Sequence, residues 1–352
     1  APDDPLVLGM VDALEAAGIP AFGPRQNAAI IEASKIFSKH LMEMYHIPTA
    51  KYQTFTELAP ALDYIQTQGA PIVVKADGLA LGKGVVVAQT VEEAQQAARD
   101  MMEGGKFGAS GAKVVIEECM TGPEVTVLAF ADGEHIAPMP SSQDHKRAFD
   151  GNQGPNTGGM GAISPSPNYT PEVAKRCMEE IFLPTMAALK AEGRPFHGVL
   201  YFGLMLTPEG PKVVEYNARF GDPECQAVLS LLDSDLLDIF QACRAGTLDQ
   251  LDIRWKDGAA CCLVLASGGY PVAYQSGYPI TGIDRAEQLD QVKVFHAGTA
   301  LDAEGRLVTK GGRVLGVTAV AGDLEQAIDR AYLAAKEITF ERMHFRTDIG
   351  RV

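Results

Sequence analysis

Val213-Val214-Glu215-Tyr216-Asn217-Ala218-Arg219-Phe220-Gly221-Asp222-Pro223-Glu224 is the stretch that decides how this chain is read. Its first half alternates apolar with polar residues, the period of a β-strand, and so points Glu215 and Asn217 off one face. A carboxylate and an amide oxygen two residues apart suit Mg²⁺. This hard cation keeps several waters and usually sits between one or two protein groups and the phosphates of a substrate. The stretch therefore predicts nucleotide chemistry. The same spacing also suits a surface strand whose polar face meets water, so the choice rests on what accompanies it.

Upstream, Pro71-Ile72-Val73-Val74-Lys75-Ala76 and Val85-Val86-Val87-Ala88 read as buried strands joined by Asp77-Gly78-Leu79-Ala80-Leu81-Gly82-Lys83-Gly84. Glycines lack a Cβ and let backbone N–H groups approach phosphate oxygens, so this hairpin can fold over a triphosphate. It is not a Walker A loop. Gly78 to Gly82 is one residue too short, Gly84 stands where Ser or Thr would bind magnesium, and a strand follows in place of a helix. A strand lysine beside a glycine-rich hairpin matches the protein-kinase arrangement, yet neither H-R-D nor D-F-G occurs downstream.

With 352 residues and 46% hydrophobic content, the chain can bury a large core, and its length favours two or three domains. No apolar run approaches a membrane span and no basic, apolar leader stands at the start, so no membrane partner is expected. The six cysteines include one adjacent pair, Cys261 and Cys262, and no C-x-x-C. That gives neither a zinc pattern nor a disulfide framework, and a reducing cytoplasm is the expected compartment. A net charge of -15 argues against nucleic-acid binding. Anionic small substrates then require a local basic pocket, for which Gln143-Asp144-His145-Lys146-Arg147 supplies three basic side chains. None of the seven histidines has metal-ligand spacing.

Residues 1–24 read as a short amphipathic helix and then a brief strand at 19–24. From 52 to 118 the order is strand 52–55, a helix opened by Thr56, strands 72–76 and 85–88, helix 91–102 capped by Thr90 and Glu93, and strand 113–118, a split β-α-β lobe. Further sheet follows at 125–139. A second glycine-dense loop spans 154–161, a helix 171–193, a strand pair 199–206 and 212–217, and a helix about 227–245. Beyond Trp255, short strands and one helix capped by Asp323 and Gln326 make a separate α+β domain.

Together these segments resemble the ATP-grasp ligases and, among them, the glycinamide ribonucleotide synthetase family. The strings that carry the likeness are S-Q-D-H-K-R at 142–147, G-P-N-T-G-G-M-G-A at 154–162 and E-Y-N-A-R-F-G-D-P-E at 215–224. K-A-D-G-L-A-L-G-K-G-V at 75–85, G-G-Y-P at 268–271 and V-F-H-A-G-T at 294–299 continue it. The resemblance implies an ATP-grasp fold of mixed α/β and α+β character. Two lobes clasp ATP within 25–245, with a mobile lobe at about 50–120, and a C-terminal α+β domain occupies 256–352. Residues 1–24 would be the remnant of an N-terminal α/β domain that in the family helps form the phosphoribosylamine pocket.

Position by position, the resemblance gives Lys35 and Lys75 the ATP phosphates and lays Gly82, Lys83 and Gly84 over them. Glu117, Glu118, Cys119 and Met120 form the strand end that meets adenine through backbone groups, and Glu124 accepts the ribose hydroxyls. Arg147 and Asn156 lie near the phosphates, while Glu215 and Asn217 hold Mg²⁺ or Mn²⁺. Asp144, Lys146, Arg219 and Asp222 are expected to grip glycine and the phosphorylated amine, with an Arg219–Asp222 ion pair as the structural alternative. No third metal ligand is found in Tyr201 to Leu206. The implied reaction phosphorylates glycine with ATP and passes the glycyl group to 5-phosphoribosylamine. The partners are small molecules only, and the chain is a monomer or weak dimer. Two alternatives stay open: another ATP-grasp carboxylate-amine ligase of purine synthesis, or a nucleotide-binding module without catalysis.

Overall fold

The named strands pair antiparallel in the computed structural model, which describes residues 3–79, 84–104 and 111–351. Two units result: Ala1–Met139 with Asn168–Phe220 and Leu237–Asp252, and Pro140–Pro167 with Gly221–Leu236 and Ile253–Val352.

The first unit holds two four-stranded sheets. One has the order Tyr52–Phe55, Val114–Glu118, Ile72–Ala76, Val85–Ala88. Helices Leu58–Gln68 and Val91–Met102 lie on it, and their small residues Ala61, Ala94 and Ala98 allow close approach to Ile72, Val74 and Ile116. Thr90 accepts the Glu93 amide at 3.1 Å, but the Glu93 carboxylate reaches back to the Gln89 amide at 2.8 Å, one residue earlier than a capping box requires. The preceding helix starts at Leu58 after Glu57, not at Thr56. The other sheet runs Gly210–Asn217, His197–Thr207, Glu124–Asp132, Ile136–Pro138. Its apolar face, with Val127, Ala129, Leu200 and Phe202, packs on Ile181, Phe182 and Leu189 of the helical run between Pro171 and Ala191.

The strand expected at 19–24 is absent: helices Asp3–Val7 and Met10–Ala16 are followed by irregular chain. Pro20 and Pro24 have no N–H to give a ladder, and the Ile19 amide already bonds to Leu14 O at 2.9 Å. The segment docks through buried Leu6 and Val11, and Asp12 accepts the Gln26 amide at 2.7 Å.

The second unit is built on a sheet in the order Val292–His296, Arg313–Ala321, Ala259–Ser267, Gly161–Ser164, Gln143–Asp144, with Met343–His344 beside Ala259–Ser267. Helix Leu324–Ala335 covers one face with Ala327, Ile328, Ala331 and Ala335, and Asp323 caps it by accepting the Gln326 amide at 2.9 Å. The single helix expected over 227–245 is two, Glu224–Ser230 and Leu236–Ala245. They are separated where the Asp233 and Ser234 amides turn to Arg254 O. The expected 154–161 loop is shorter, since its first three residues belong to strand Gln153–Asn156, which pairs with Arg147–Phe149, and Gly161 opens the next strand. No helix among the described residues is long and apolar enough to cross a membrane.

Candidate functional site

Glu215 and Asn217 owe their direction to an irregularity. Between strands His197–Thr207 and Gly210–Asn217, Gly203 lies opposite Glu215 and Leu204 opposite Val213, so Val214 is an extra residue, a β-bulge. Strict alternation would place 213, 215 and 217 on one face. The bulge shifts the phase: Val213, Tyr216 and Ala218 all enter the same apolar core, and Glu215 and Asn217 turn to the opposite face. Gly203 keeps room for the carboxylate, because a Cβ there would lie 3.1 Å from Glu215 Cγ. Asn217 Oδ1 accepts from Arg219 Nη2 at 3.2 Å. One carboxylate and one amide oxygen on a shared face form a hard-oxygen donor set that fits a divalent cation retaining waters.

Beside the bulge lies a buried charge cluster. Lys75 Nζ donates to Val214 O at 3.2 Å and pairs with Glu117 Oε2 at 2.8 Å, while Lys39 Nζ pairs with Glu117 Oε1 at 3.2 Å. All three side chains are nearly fully buried. Two cations share one anion, an arrangement with an excess positive charge facing the Glu215 strand. Burial pushes the Lys39 ammonium down to about 8, with Glu117 opposing and Lys75 reinforcing the shift. Lys35 is also pulled below its usual range by burial, partly offset by Glu215. It donates from Nζ to Gly78 O at 3.1 Å, which sets it at the base of the glycine hairpin. Gly84 closes that hairpin by accepting the Ala76 amide at 2.8 Å; Gly82 and Lys83 lie outside the described residues.

Glu117 sits inside the ladder, opposite Tyr52 and Val73, and its carboxylate serves the two lysines. Only Glu118, Cys119 and Met120 stand at the strand end, where Glu118 bonds Lys51 through both its amide and its carboxylate, each at 3.0 Å. Glu124 is exposed at the start of the next strand, opposite Met205. Lys39 was not singled out in the sequence, where a helix lysine four residues after Lys35 looks solvated. Glu32 was also missed. It is buried, accepts the Ala218 amide at 2.7 Å and pairs with Arg219 at 3.0 Å, and so fixes the chain just past Asn217. Arg219 thus pairs with Glu32 and not with Asp222.

In the second unit Asp222 is held by Arg313, at 3.1 Å to Nη2, and by Gln226 Nε2 at 2.9 Å. Asp144 Oδ1 is buried without a hydrogen-bond partner among the described residues. Burial, with the neighbouring Glu224 carboxylate, holds Asp144 well above the usual carboxylate range. Arg147 is exposed, opposite Asn156, and donates to Gly154 O at 2.8 Å. Lys146 O accepts both the Thr157 amide and hydroxyl at 2.8 Å. His145 corrects the sequence reading: it is not part of a basic patch but is buried, and Nε2 accepts the Gly350 amide at 3.1 Å. Burial, reinforced by Arg346, lowers it to about 4. With a folded value of about 4 against an ordinary 6.5, this group's contribution is complete above pH 6.5 and is lost as the pH falls towards 4. The loss amounts to roughly 3 kcal/mol at most. Urea unfolding across that interval should show the slope, and His145→Gln should flatten it; equal slopes would contradict the assignment.

Elsewhere Asp132, His135 and Asp249 bring ligand atoms within 4.8 Å of one another, a proximity their spacing did not suggest. Asp132 is committed to the Glu134, His135 and Leu248 amides, and this explains the cluster as a turn lock.

Comparison with known proteins gives the family and the fold. The model of the phosphoribosylglycinamide synthetase ATP-grasp (A) domain matches residues 33–225, and that of the C domain matches residues 260–352. The chain belongs to the phosphoribosylglycinamide synthetase family. A phosphoribosylamine-glycine ligase of Vibrio vulnificus is 51% identical over 350 residues, covering 99% of this chain and 81% of the relative. The crystal structure of the Thermotoga maritima phosphoribosylamine-glycine ligase superposes with a TM-score of 0.85 at 34% identity, covering 93% of this chain and 81% of that one. The biotin carboxylase domain of Hydrogenobacter thermophilus 2-oxoglutarate carboxylase shares the fold at 17% identity, with a TM-score of 0.73 over 95% of this chain and 72% of that chain. The ATP-grasp fold expected for the family is therefore the fold of this chain.

Proposed function

We propose that this chain joins glycine to 5-phosphoribosylamine with consumption of ATP, giving glycinamide ribonucleotide, ADP and phosphate. The observation that carries the reading is the bulged strand in a chain of this family. It turns Glu215 and Asn217 to one face, next to the buried Lys75–Glu117–Lys39 cluster. A carboxylate is a poor electrophile and must be activated. A glycine carboxylate oxygen attacks the γ-phosphorus of ATP and ADP departs; the amine then attacks the carbonyl carbon, phosphate leaves and a proton is lost. Phosphoryl transfer asks the protein chiefly for alignment and charge neutralisation.

Lys35 and Lys75 are assigned the phosphates, with Gly82, Lys83 and Gly84 as their cover. Glu118, Cys119 and Met120 are assigned adenine, with Glu117 acting as counter-ion behind them, and Glu124 the ribose. Arg147 and Asn156 face phosphate, and Asp144, Lys146, Arg219 and Asp222 take glycine and the phosphorylated amine. Glu215 and Asn217 would hold Mg²⁺ or Mn²⁺, which when bound supplies charge neutralisation to phosphate oxygens. The acyl phosphate hydrolyses if wet, so the site must exclude water. The proposed domain limits are 1–24, 25–245 and 256–352. The proposed setting is a cytoplasmic monomer or weak dimer acting on small molecules. The test is ADP formation by the purified chain with ATP and Mg²⁺: it should require both glycine and phosphoribosylamine. A rate unchanged by adding the two would end this reading.

A further inference from the structure

Residues 343–351 run beside 144–151, and their contacts fall one after another on the segment that carries Asp144, Lys146 and Arg147. Gly350 N donates to His145 Nε2 at 3.1 Å, Arg346 Nη1 to Arg147 O at 3.2 Å and His344 Nε2 to Ala148 O at 2.8 Å. Thr347 N donates to Asp150 Oδ1 at 2.8 Å, and Asp348 Oδ2 accepts the Gly151 amide at 2.7 Å. The clamp is itself braced. Tyr332, on helix Leu324–Ala335, donates to Arg346 O and accepts the Ile349 amide, both at 2.9 Å.

At its centre Arg346 is 1% exposed, its Nε and Nη2 bound to Asp348 at 2.7 and 2.9 Å. A buried ion pair is a poor device for stability alone, since apolar side chains of equal volume fill the space without desolvating charge. What a guanidinium offers is direction: a rigid fork whose remaining arm, Nη1, points at one carbonyl. That carbonyl belongs to Arg147. With Lys146 O taken by Thr157 and Ala148 O by His344, each peptide carbonyl from 146 to 148 is fixed.

We propose that Arg346, locked by Asp348, is a positioning residue for the substrate site, holding the peptide from which Lys146 and Arg147 project. The inference rests on the assignment of Asp144, Lys146 and Arg147 to substrate. It adds a part of the site that no motif near 142–147 contains.

The test is steady-state kinetics on the full chain, each substrate varied in turn. Arg346→Met should raise the KM for glycine or phosphoribosylamine and lower kcat, with kcat/KM down about 10- to 100-fold, as for a small misplacement of binding groups. MgATP affinity should fall less than the acceptor KM rises, because Lys35 and Lys75 lie in the other unit and only Arg147 and Asn156 of the phosphate assignment adjoin the clamp. The double variant Arg346→Met/Asp348→Asn leaves no unpaired buried charge, and should keep near-native thermal unfolding while retaining the kinetic defect. Wild-type KM and kcat in the folded double variant would overturn the inference. Should that variant fail to fold, His344→Phe keeps the ring packed on Phe149 and removes only the bond to Ala148 O. A rise in the same KM supports the clamp, and an unchanged KM overturns it. A wild-type chain without glycine-dependent ADP formation would overturn the proposed reaction and this inference together.

Discussion

Replacing Glu215 with alanine is expected to lower glycine-dependent ADP formation by at least about 10²–10³-fold, the usual loss when a preorganised charge-stabilising contact is removed. Fold loss is not the reason. Glu215 lies on the face opposite the core that holds Val213, Tyr216 and Ala218, so truncation opens no apolar cavity. The effect should appear as a large rise in the Mg²⁺ concentration needed for activity, with denaturant stability near wild type. Asn217→Ala should do the same more weakly, because an amide oxygen contributes a dipole where Glu215 contributes a charge. The carboxylate has a second effect. It partly offsets the burial that depresses Lys35, so its removal should push that ammonium further down and weaken the phosphate site as well. Turnover of Glu215→Ala within threefold of wild type, at the same Mg²⁺ midpoint, would remove the basis for the metal assignment.

Glu117→Gln should give the largest loss of stability of any single change in the first unit, about 3–5 kcal/mol, because it leaves Lys39 and Lys75 buried without their shared anion. The pH dependence identifies the cause. Lys39, already near 8 through burial, falls further without its counter-ion. A lysine with a depressed folded value binds fewer protons folded than unfolded, so stability is regained as the pH rises from that folded value towards 10.5. The deficit of Glu117→Gln should thus shrink between pH 7 and pH 10 in urea melts. A deficit independent of pH would mean lost packing and not an exposed charge imbalance. Nucleotide affinity should fall too, since Lys75 would no longer be held against Val214 O.

The pattern of residues gave the strands at 52–55, 72–76 and 85–88, the caps at Thr90 and Asp323, and the pair Glu215 and Asn217. Each of these depends on local chemistry: alternation, a hydroxyl or carboxylate before a helix, a glycine hairpin. What escaped depends on partners distant in sequence. Alternation pointed Glu215 and Asn217 off one face correctly but placed Val213 with them. The extra residue Val214 becomes visible only against the register of the neighbouring strand at Gly203. Lys39 reads as a surface helix lysine until Glu117 is brought to it, and His145 reads as basic until Gly350 and Arg346 cover it. The break at 231–235 had a legible signal, the turn-forming Asp233-Ser234-Asp235 run, which the apolar spacing on either side concealed.

The second unit is sewn from three separated pieces of chain, and this bears on how the protein is made. On the ribosome, Gln143–Asp144 and Gly161–Ser164 emerge long before Ala259–Ser267, the strand that flanks them, and before the Arg346 segment that pins their loop. Those early strands must wait with an open edge, which is the condition that slows folding and invites wrong pairing. The first unit's glycine hairpin and lysines, by contrast, need no residue beyond 252. Nascent chains should therefore become able to bind nucleotide before they can hold the two acceptor molecules, so that competence for ligation is the last property this polypeptide acquires.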